Sequence, residues 1–292
     1  AAHNQKSAYL FLLPSMLILS VFIFVPLAAS LLISITDMNI FMKDVSFVGL
    51  KNFTRLFADR RVGNATFNSL YFTLLEVPLQ IGLALLLTMC LAKNNRYCKL
   101  LRSVYYLPFV CSMTAIGIVW SMLLDPNMGL IAYWLKQAGF QTVSFLKNPD
   151  LAMPTVIAVT AWKGFGYTLT LLAAAVLNIS QSLYEAAEMD GAGGLQKFVH
   201  ITVPGISSTF FVLLLLQVSN LLALGIDQYL AFYNSMVADK ILVLDLHVYR
   251  LGLITQDYSY ATAVGIFKSL ISILLLFSVN GLSKRLRGES LV

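Results

Sequence analysis

Residues 70–92 read LYFTLLEVPLQIGLALLLTMCLA and contain a single charged residue, Glu76. The hydrocarbon core of a bilayer is ~30 Å thick, and an α-helix needs about 20 apolar residues to cross it. The stretch meets this requirement. Pro78 is no obstacle, because neighbouring groups in a membrane protein satisfy the carbonyl that a proline leaves free. We therefore predict a membrane-spanning helix here, and this prediction decides the fold class.

Runs of the same kind recur on both sides of this stretch. They predict six membrane-spanning helices, at about 9–35, 70–92, 103–124, 154–177, 208–230 and 260–282. The first run is longer than the apolar region of a signal peptide, so we expect a retained helix. We find no internal repeat and no separate soluble domain. The expected architecture is one all-α, polytopic membrane domain over residues 1–292.

The composition supports this class. Of the 292 residues, 58% are hydrophobic and 12% are charged, whereas a soluble domain carries about a quarter charged residues. The net charge of +6 comes from scattered basic residues, which indicates loops beside an anionic bilayer and argues against a nucleic-acid partner. The three cysteines lack C-x-x-C spacing, which argues against a disulfide framework and a zinc site. We predict no metal site.

The orientation follows from short basic loops. Loop 93–102 carries four basic residues and no acid, and the tail adds three more from residue 284 onward. Short segments rich in lysine and arginine stay in the cytoplasm. Loop 37–69 has five basic residues but is longer and also holds three aspartates. We therefore expect both termini in the cytoplasm, and a short amphipathic helix at 50–57 in the membrane interface outside.

The loop between the fourth and fifth spans, residues 180–206, has a sequence typical of ordered structure. Ser182 and Glu185 have the S-x-x-E spacing of a capping box, which predicts a helix beginning there. The glycines within 191–194 end that helix, and a second short helix is expected at 195–200. A short helix with small side chains suits insertion into a groove on a partner. An ordinary interfacial connector is the alternative.

The residues of this loop resemble the EAA loop of ATP-binding-cassette (ABC) importer permeases. The resemblance is carried by Glu-Ala-Ala at 185–187, Asp-Gly-Ala at 190–192 and Pro204. Residues 47–53 are similar to a loop of sugar permeases, and residues 248–265 to the branch that imports oligosaccharides. The resemblance implies that the loop is a coupling helix seated on an ATPase subunit. The residues implied in coupling are Glu185, Ala186, Ala187, Glu188, Asp190, Gly191, Ala192 and Pro204.

The same resemblance implies the remaining components. The chain has no G-x-x-x-x-G-K-[ST] sequence, so ATP and Mg²⁺ are expected on a partner ATPase, with no cofactor in this chain and no enzyme activity of its own. The implied partners are a second permease subunit, two ATP-binding-cassette subunits and an extracytoplasmic binding protein. The implied location is a bacterial-type inner membrane, and the implied cargo is a sugar, moved by alternating access.

The fourth span carries an aromatic and polar sequence near its middle, Trp-Lys-Gly-Phe-Gly-Tyr at 162–167. Aromatic rings stack on the C–H faces of sugars, and polar groups meet their hydroxyls. The resemblance places the cargo pocket of maltose-type relatives on the fourth and fifth helices. The substrate-path candidates are Trp162, Lys163, Gly164, Tyr167, Gln217 and Asn220, with Asn178 as a further polar group. The alternative is that the aromatic residues only fill helix packing.

Ionisable residues within spans are costly and usually functional or paired. Four occur here, namely Glu76, Lys163, Asp227 and Lys268. They are too few for the acid or histidine relay of an ion-coupled secondary transporter. Metal ligands or a nucleophile–base pair for an intramembrane enzyme are missing from the spans. A third alternative keeps the permease but changes the cargo to a polyol or glycerol phosphoester, which Lys163 would suit.

Overall fold

A computed structural model describes the backbone of residues 2–38, 45–223 and 226–287, and the side chains of 11–38, 45–219 and 226–285. Apart from one isolated bridge between Thr36 and Phe47, the elements described are helices. They are α1 Ala2–Leu19, α2 Val25–Ser34, α3 Lys51–Ala58, α4 Arg60–Leu91, α5 Arg96–Val110, α6 Met113–Leu123, α7 Leu130–Gln137, α8 Ala152–Leu177, α9 Gln181–Met189, α10 Gly194–Lys197, α11 Val203–Ala223, α12 Asp227–Phe232, α13 Ala238–Ile241, α14 Leu244–Tyr249 and α15 Tyr258–Arg287. Single π-helical turns join α1 to α2 and α10 to α11, and another follows α14.

Within the described residues, five helical stretches are long and apolar enough to cross a membrane. They are Phe11–Ser34, Arg60–Leu91, Ala152–Leu177, Gly194–Ser219 and Tyr258–Arg285. The pair α5 and α6 provides a sixth if the two helices are counted as one span. The predicted all-α class of polytopic membrane protein is confirmed.

The prediction of one continuous helix at 103–124 is wrong, because α5 and α6 meet at an angle of 98°. Pro108 lies in the last turn of α5, where its ring removes one backbone hydrogen bond. Cys111 and Ser112 are extended, with ψ near 145° at both. The Ser112 hydroxyl accepts from the backbone N–H of Ala115 at 3.2 Å, and this N-cap starts α6 as a new helix.

The predicted fifth span, 208–230, also differs. The structure has α11 beginning earlier, at Val203, and ending at Ala223, followed by the separate short helix α12; residues 224–225 lie outside the described part. Asp227, predicted near the end of the span, is instead in the first turn of α12. A carboxylate is favourable at that position because the helix dipole is positive there.

The chain forms two compact units, of which the larger comprises 64–246 and 270–292. Helix α8 contacts α5, α11, α12 and α13. Its buried residues extend from Ala152 to Ala173. Gly166 of α8 lies against the backbone of α5, so that a Cβ there would be 1.9 Å from the carbonyl oxygen of Tyr105. The ring of Phe165 packs on that of Tyr105 at 5.6 Å between centroids. Small residues at such crossings let membrane helices approach closely.

The start of α4 explains why this helix begins before the predicted span at 70–92. The Asn68 carboxamide donates to the carbonyl oxygens of Asp239 and Leu242, both at 2.9 Å. Asn64 donates to the Asp239 oxygen at 2.6 Å. The helix therefore carries polar residues that hydropathy places in a loop, because the residues near α13 satisfy them.

The smaller unit comprises 1–63 and 247–269, and α3 fills the place of the helix predicted at 50–57. Arg55 forms a 2.8 Å ion pair with Asp257 and lies 3.9 Å from the ring centroid of Tyr260. The Tyr260 hydroxyl donates to the Asp59 carboxylate at 2.8 Å. Burial raises the pKa of Asp59, but the hydrogen bonds from Tyr260 and the Arg61 N–H outweigh it and hold that pKa below its usual value.

Candidate functional site

The loop between α8 and α11 presents α9 as an exposed helix. The predicted capping box of Ser182 and Glu185 is wrong, because α9 begins at Gln181 and Ser182 already lies in its first turn. Ser180 holds the N-cap position, and its hydroxyl pairs with that of Ser182 at 2.7 Å.

The glycine-rich end of α9 follows the prediction. Gly191 has φ +78°, a conformation that glycine adopts without strain. The N–H of Ala192 donates to the Ala187 carbonyl at 2.9 Å and closes the last turn. The chain then forms α10 and a π-helical turn that continues into α11, with Pro204 as the second residue of α11. The helix predicted at 195–200 is therefore an extension of α11.

The outer surface of α9 and the next turn combines acidic and apolar groups. Glu185, Glu188 and Asp190 are exposed. Met189 is 89% exposed and Leu195 is 70% exposed. A shallow cleft beside them is lined by Ala187, Asp190, Gly191, Ala192, Gln196, Lys197, His200 and Ile201. An exposed apolar surface rimmed by charge is typical of a protein–protein contact.

The inner side of α9 is fixed to the start of α11. The hydroxyls of Tyr184 and Thr202 form a 2.8 Å hydrogen bond, and Thr202 is buried. Lys197 approaches Glu188 at 3.5 Å. Just after α8, the Ile179 side chain packs closely on Gly205. A Cβ on Gly205 would lie 2.6 Å from the Ile179 Cδ1 atom. These contacts couple the position of α9 to the ends of α8 and α11.

The candidates on α8 meet the break between α5 and α6. The ammonium of Lys163 donates to the Phe109 carbonyl oxygen at 2.9 Å. One helical turn further on, the Tyr167 ring stacks on the Phe109 ring at 4.7 Å. Trp162 packs edge-on against Trp120 at 5.4 Å. Lys163 and Tyr167 thus share Phe109 as a partner beside the break, and Trp162 contacts α6 beyond it.

The other candidates make different contacts. Gly164 faces the buried Gln80 side chain, 2.7 Å from where its Cβ would be, and so serves helix packing. Gln217 and Gln80 both donate to the Thr168 hydroxyl, at 3.3 Å and 3.0 Å, and this joins α4, α8 and α11. Asn178 is the C-cap of α8. The side chain of Asn220 lies outside the described residues.

Three residues of these sites were missed in the sequence, namely Phe109, Trp120 and Thr168. Phe109 follows Pro108 directly, but a proline alone does not mark a break, because Pro78 lies inside the continuous helix α4. Trp120 and Thr168 carry no local signal. Glu76, an ionisable group expected in a span, is 2% exposed, and its Oε2 atom lacks a hydrogen-bond partner among the described groups.

The fold defines a polytopic membrane protein with an exposed helix, α9, between two of its spanning helices. Residues 80–288 match the family described as binding-protein-dependent transport system inner membrane component. The match covers more than half of the chain, and the chain belongs to this family. It is therefore an inner-membrane permease component, as its EAA-type loop predicted.

Two similar proteins match nearly the whole chain, and a third matches 72% of it. The polygalacturonan/rhamnogalacturonan transport system permease protein YteP of Bacillus subtilis (strain 168) is 31% identical, covering 99% of this chain and 91% of YteP. The sn-glycerol-3-phosphate transport system permease protein UgpA of Yersinia pestis is 32% identical, over 72% of this chain and 70% of UgpA. A subunit in the crystal structure of a bacterial alginate ABC transporter, in complex with alginate pentasaccharide-bound periplasmic protein, superposes with a TM-score of 0.87. It has 26% identity and covers 99% of this chain and 98% of that one.

Proposed function

We propose that this chain is one permease subunit of an ABC importer that takes up an oligosaccharide delivered by an extracytoplasmic binding protein. The observation that carries the proposal is the exposed helix α9, held on its inner side by Tyr184 and Thr202 and bearing the EAA sequence. Family membership and the alginate transporter structure support the importer class.

Helix α9 would dock into a cleft of a partner ATPase. Glu185 and Glu188 would face polar groups on that subunit, and Met189 and Leu195 would bury their exposed side chains. The partner would bind ATP and Mg²⁺, because this sequence has no phosphate-binding loop. The complex would contain two permease chains and two ATPase subunits, with α9 and both termini in the cytoplasm.

The mechanism would be alternating access. Closure of the ATPase pair on ATP would displace α9. The displacement would pass into the membrane through the Tyr184–Thr202 bond to α11 and through the Ile179–Gly205 contact to α8. A ligand can drive such a change only by binding one state more tightly than the other. ATP would favour the outward-open cavity, and hydrolysis would restore the inward-open one.

A sugar cargo is supported by the aromatic pairs beside the α5–α6 break. Rings that are partly exposed, such as Trp162 and Phe109 at 37% and 38%, can stack on sugar faces. YteP is described as a polygalacturonan/rhamnogalacturonan permease, and the solved structure as an alginate transporter. A glycerol phosphoester is the second candidate, because Lys163 offers a cation and UgpA is a relative of similar identity.

The test is the Glu185→Arg variant in the assembled complex with binding protein and ATPase. We expect loss of ATP-driven uptake, because a reversed charge at the centre of α9 would oppose docking. Asp150→Arg is the matched control, since it reverses an exposed acid in the loop before α8 and should leave uptake intact. Full uptake by an assembled Glu185→Arg complex, or uptake without an ATPase partner, would contradict the proposal.

A further inference from the structure

We propose that Lys163 binds a carboxylate of the imported molecule, so that the cargo is an acidic oligosaccharide. This inference rests on the proposed import function and adds the chemical class of the cargo. It depends on the depth, the partners and the surroundings of one ammonium group.

Lys163 lies near the middle of its membrane span. It is the twelfth residue of α8, which runs from Ala152 to Leu177, and at 1.5 Å per residue it stands about 17 Å along a helix about 39 Å long. A charge at this depth is costly against lipid and normally faces a cavity or a partner. The side chain is only partly buried in the single chain, so we infer that its exposed part faces a cavity or a partner.

The Lys163 ammonium has N–H donors that its described contacts leave unused. Its contacts are a hydrogen bond to the Phe109 carbonyl at 2.9 Å and a position 5.3 Å from the Phe109 ring centroid. The ion pairs Arg55–Asp257 and Lys197–Glu188 both lie away from Lys163 and do not use its ammonium. An ammonium has three N–H donors. Two donors and a full charge therefore remain for another group.

The surroundings fit a sugar that carries the acid. Phe109, whose ring lies 5.3 Å from the Lys163 ammonium, stacks on Tyr167, and Trp162, the residue before Lys163, packs edge-on against Trp120. The adjoining backbone at 111–112 is extended and exposed. Irregular backbone at membrane depth is tolerated where it lines protein or a water-filled cavity. Rings for the C–H faces and an ammonium for the carboxylate thus border the same break.

The competing explanation is that Lys163 only satisfies the Phe109 carbonyl, which the break deprives of its helical partner. The two roles separate in Lys163→Gln, because a carboxamide can still donate to that oxygen but carries no charge. Lys163→Arg keeps the charge and serves as the conservative variant, although its planar head differs in shape.

The experiment compares uptake of trigalacturonate and of neutral trigalactose by the reconstituted complex with its binding protein. We expect Lys163→Gln to lower the ratio of acidic to neutral uptake about tenfold or more, since a charge-assisted hydrogen bond is lost. Lys163→Arg should recover most of that ratio. An unchanged ratio in Lys163→Gln overturns the inference, and so does uptake of sn-glycerol 3-phosphate by the wild type in preference to both sugars.

A second measurement uses the wild-type complex alone, in case Lys163→Gln fails to assemble. Calorimetric titration without the binding protein should show tighter binding of trigalacturonate than of trigalactose, with the difference shrinking as salt is raised. Equal affinities overturn the inference. If neutral trisaccharide enters in an ATP-dependent manner while the acid preference is missing, only the inference fails. If no saccharide enters in an ATP-dependent manner, the proposed function fails.

Discussion

Replacing Gly166 by alanine tests the close crossing of α8 and α5. The added Cβ would lie 1.9 Å from the carbonyl oxygen of Tyr105 and 2.5 Å from its carbonyl carbon. Both are backbone atoms, so no side-chain rotation can relieve the overlap. The two helices must separate, and the packing of Phe165 on the Tyr105 ring must loosen with them.

The magnitude follows from two opposing effects. Overpacking costs about 1–3 kcal/mol, and a backbone clash belongs at the upper end of this range. Alanine is favoured over glycine in a helix by about 1 kcal/mol. We expect a net loss of about 2 kcal/mol in the free energy of unfolding, which corresponds to a Tm lower by roughly 5 °C.

The measurement is thermal unfolding of the purified protein in detergent, followed by intrinsic fluorescence. Gly82→Ala in α4 is the matched control, because a Cβ there meets nothing within 4 Å and the substitution should raise Tm slightly. The two variants are therefore expected to change Tm in opposite directions. If Gly166→Ala raises Tm as Gly82→Ala does, the close approach of α8 to α5 at Gly166 is refuted.

Two further predictions concern the loop helix and the smaller unit. Tyr184→Phe removes the 2.8 Å bond to Thr202, a contact of about 1 kcal/mol, and should raise the number of ATP molecules hydrolysed per sugar imported while complex assembly persists; an unchanged ratio would argue against this bond as a transmission point. Burial lowers the pKa of His247. The nearby Asp59 carboxylate raises this pKa, whereas the positive charges of Arg61 and Arg250 lower it further. The unfolded chain therefore takes up the proton first as the pH falls below about 6.5, and the folded state loses stability from there downward. Tm measured at pH 7.5 and 5.5 should fall more in the wild type than in His247→Gln, and equal losses in both proteins would count against a buried neutral imidazole.

The sequence predicted the helices well because long apolar runs have one stable form in a bilayer. It could not predict where a helix breaks. Pro78 lies inside α4, which continues through it, whereas Pro108 lies in the last turn of α5 before a bend. The two prolines look alike in the sequence. The difference depends on Ser112, which caps a new helix, and on Lys163, which satisfies a carbonyl from 54 residues away.

The candidate sites also contain residues that the sequence could predict and contacts that it could not. The Glu-Ala-Ala sequence at 185–187 could be selected from local spacing alone, and its role in coupling stays a prediction. Trp162 and Tyr167 were predicted as candidates, but their partners Trp120 and Phe109 come from another helix pair. The polar contact between Gln217 and Thr168 likewise depends on packing between spans. Residue types on one helix can be read from the sequence, and their neighbours on other helices cannot.

The crossing at Gly166 has a consequence for how the membrane part can move. A carbonyl oxygen occupies the space of a missing side chain, so a shift of α5 along α8 by one residue would bring backbone against a larger neighbour. We expect these two helices to travel as one rigid body. Movement between α5 and α6 is then concentrated in the extended residues Cys111 and Ser112, which act as a joint that leaves the paired helices undistorted.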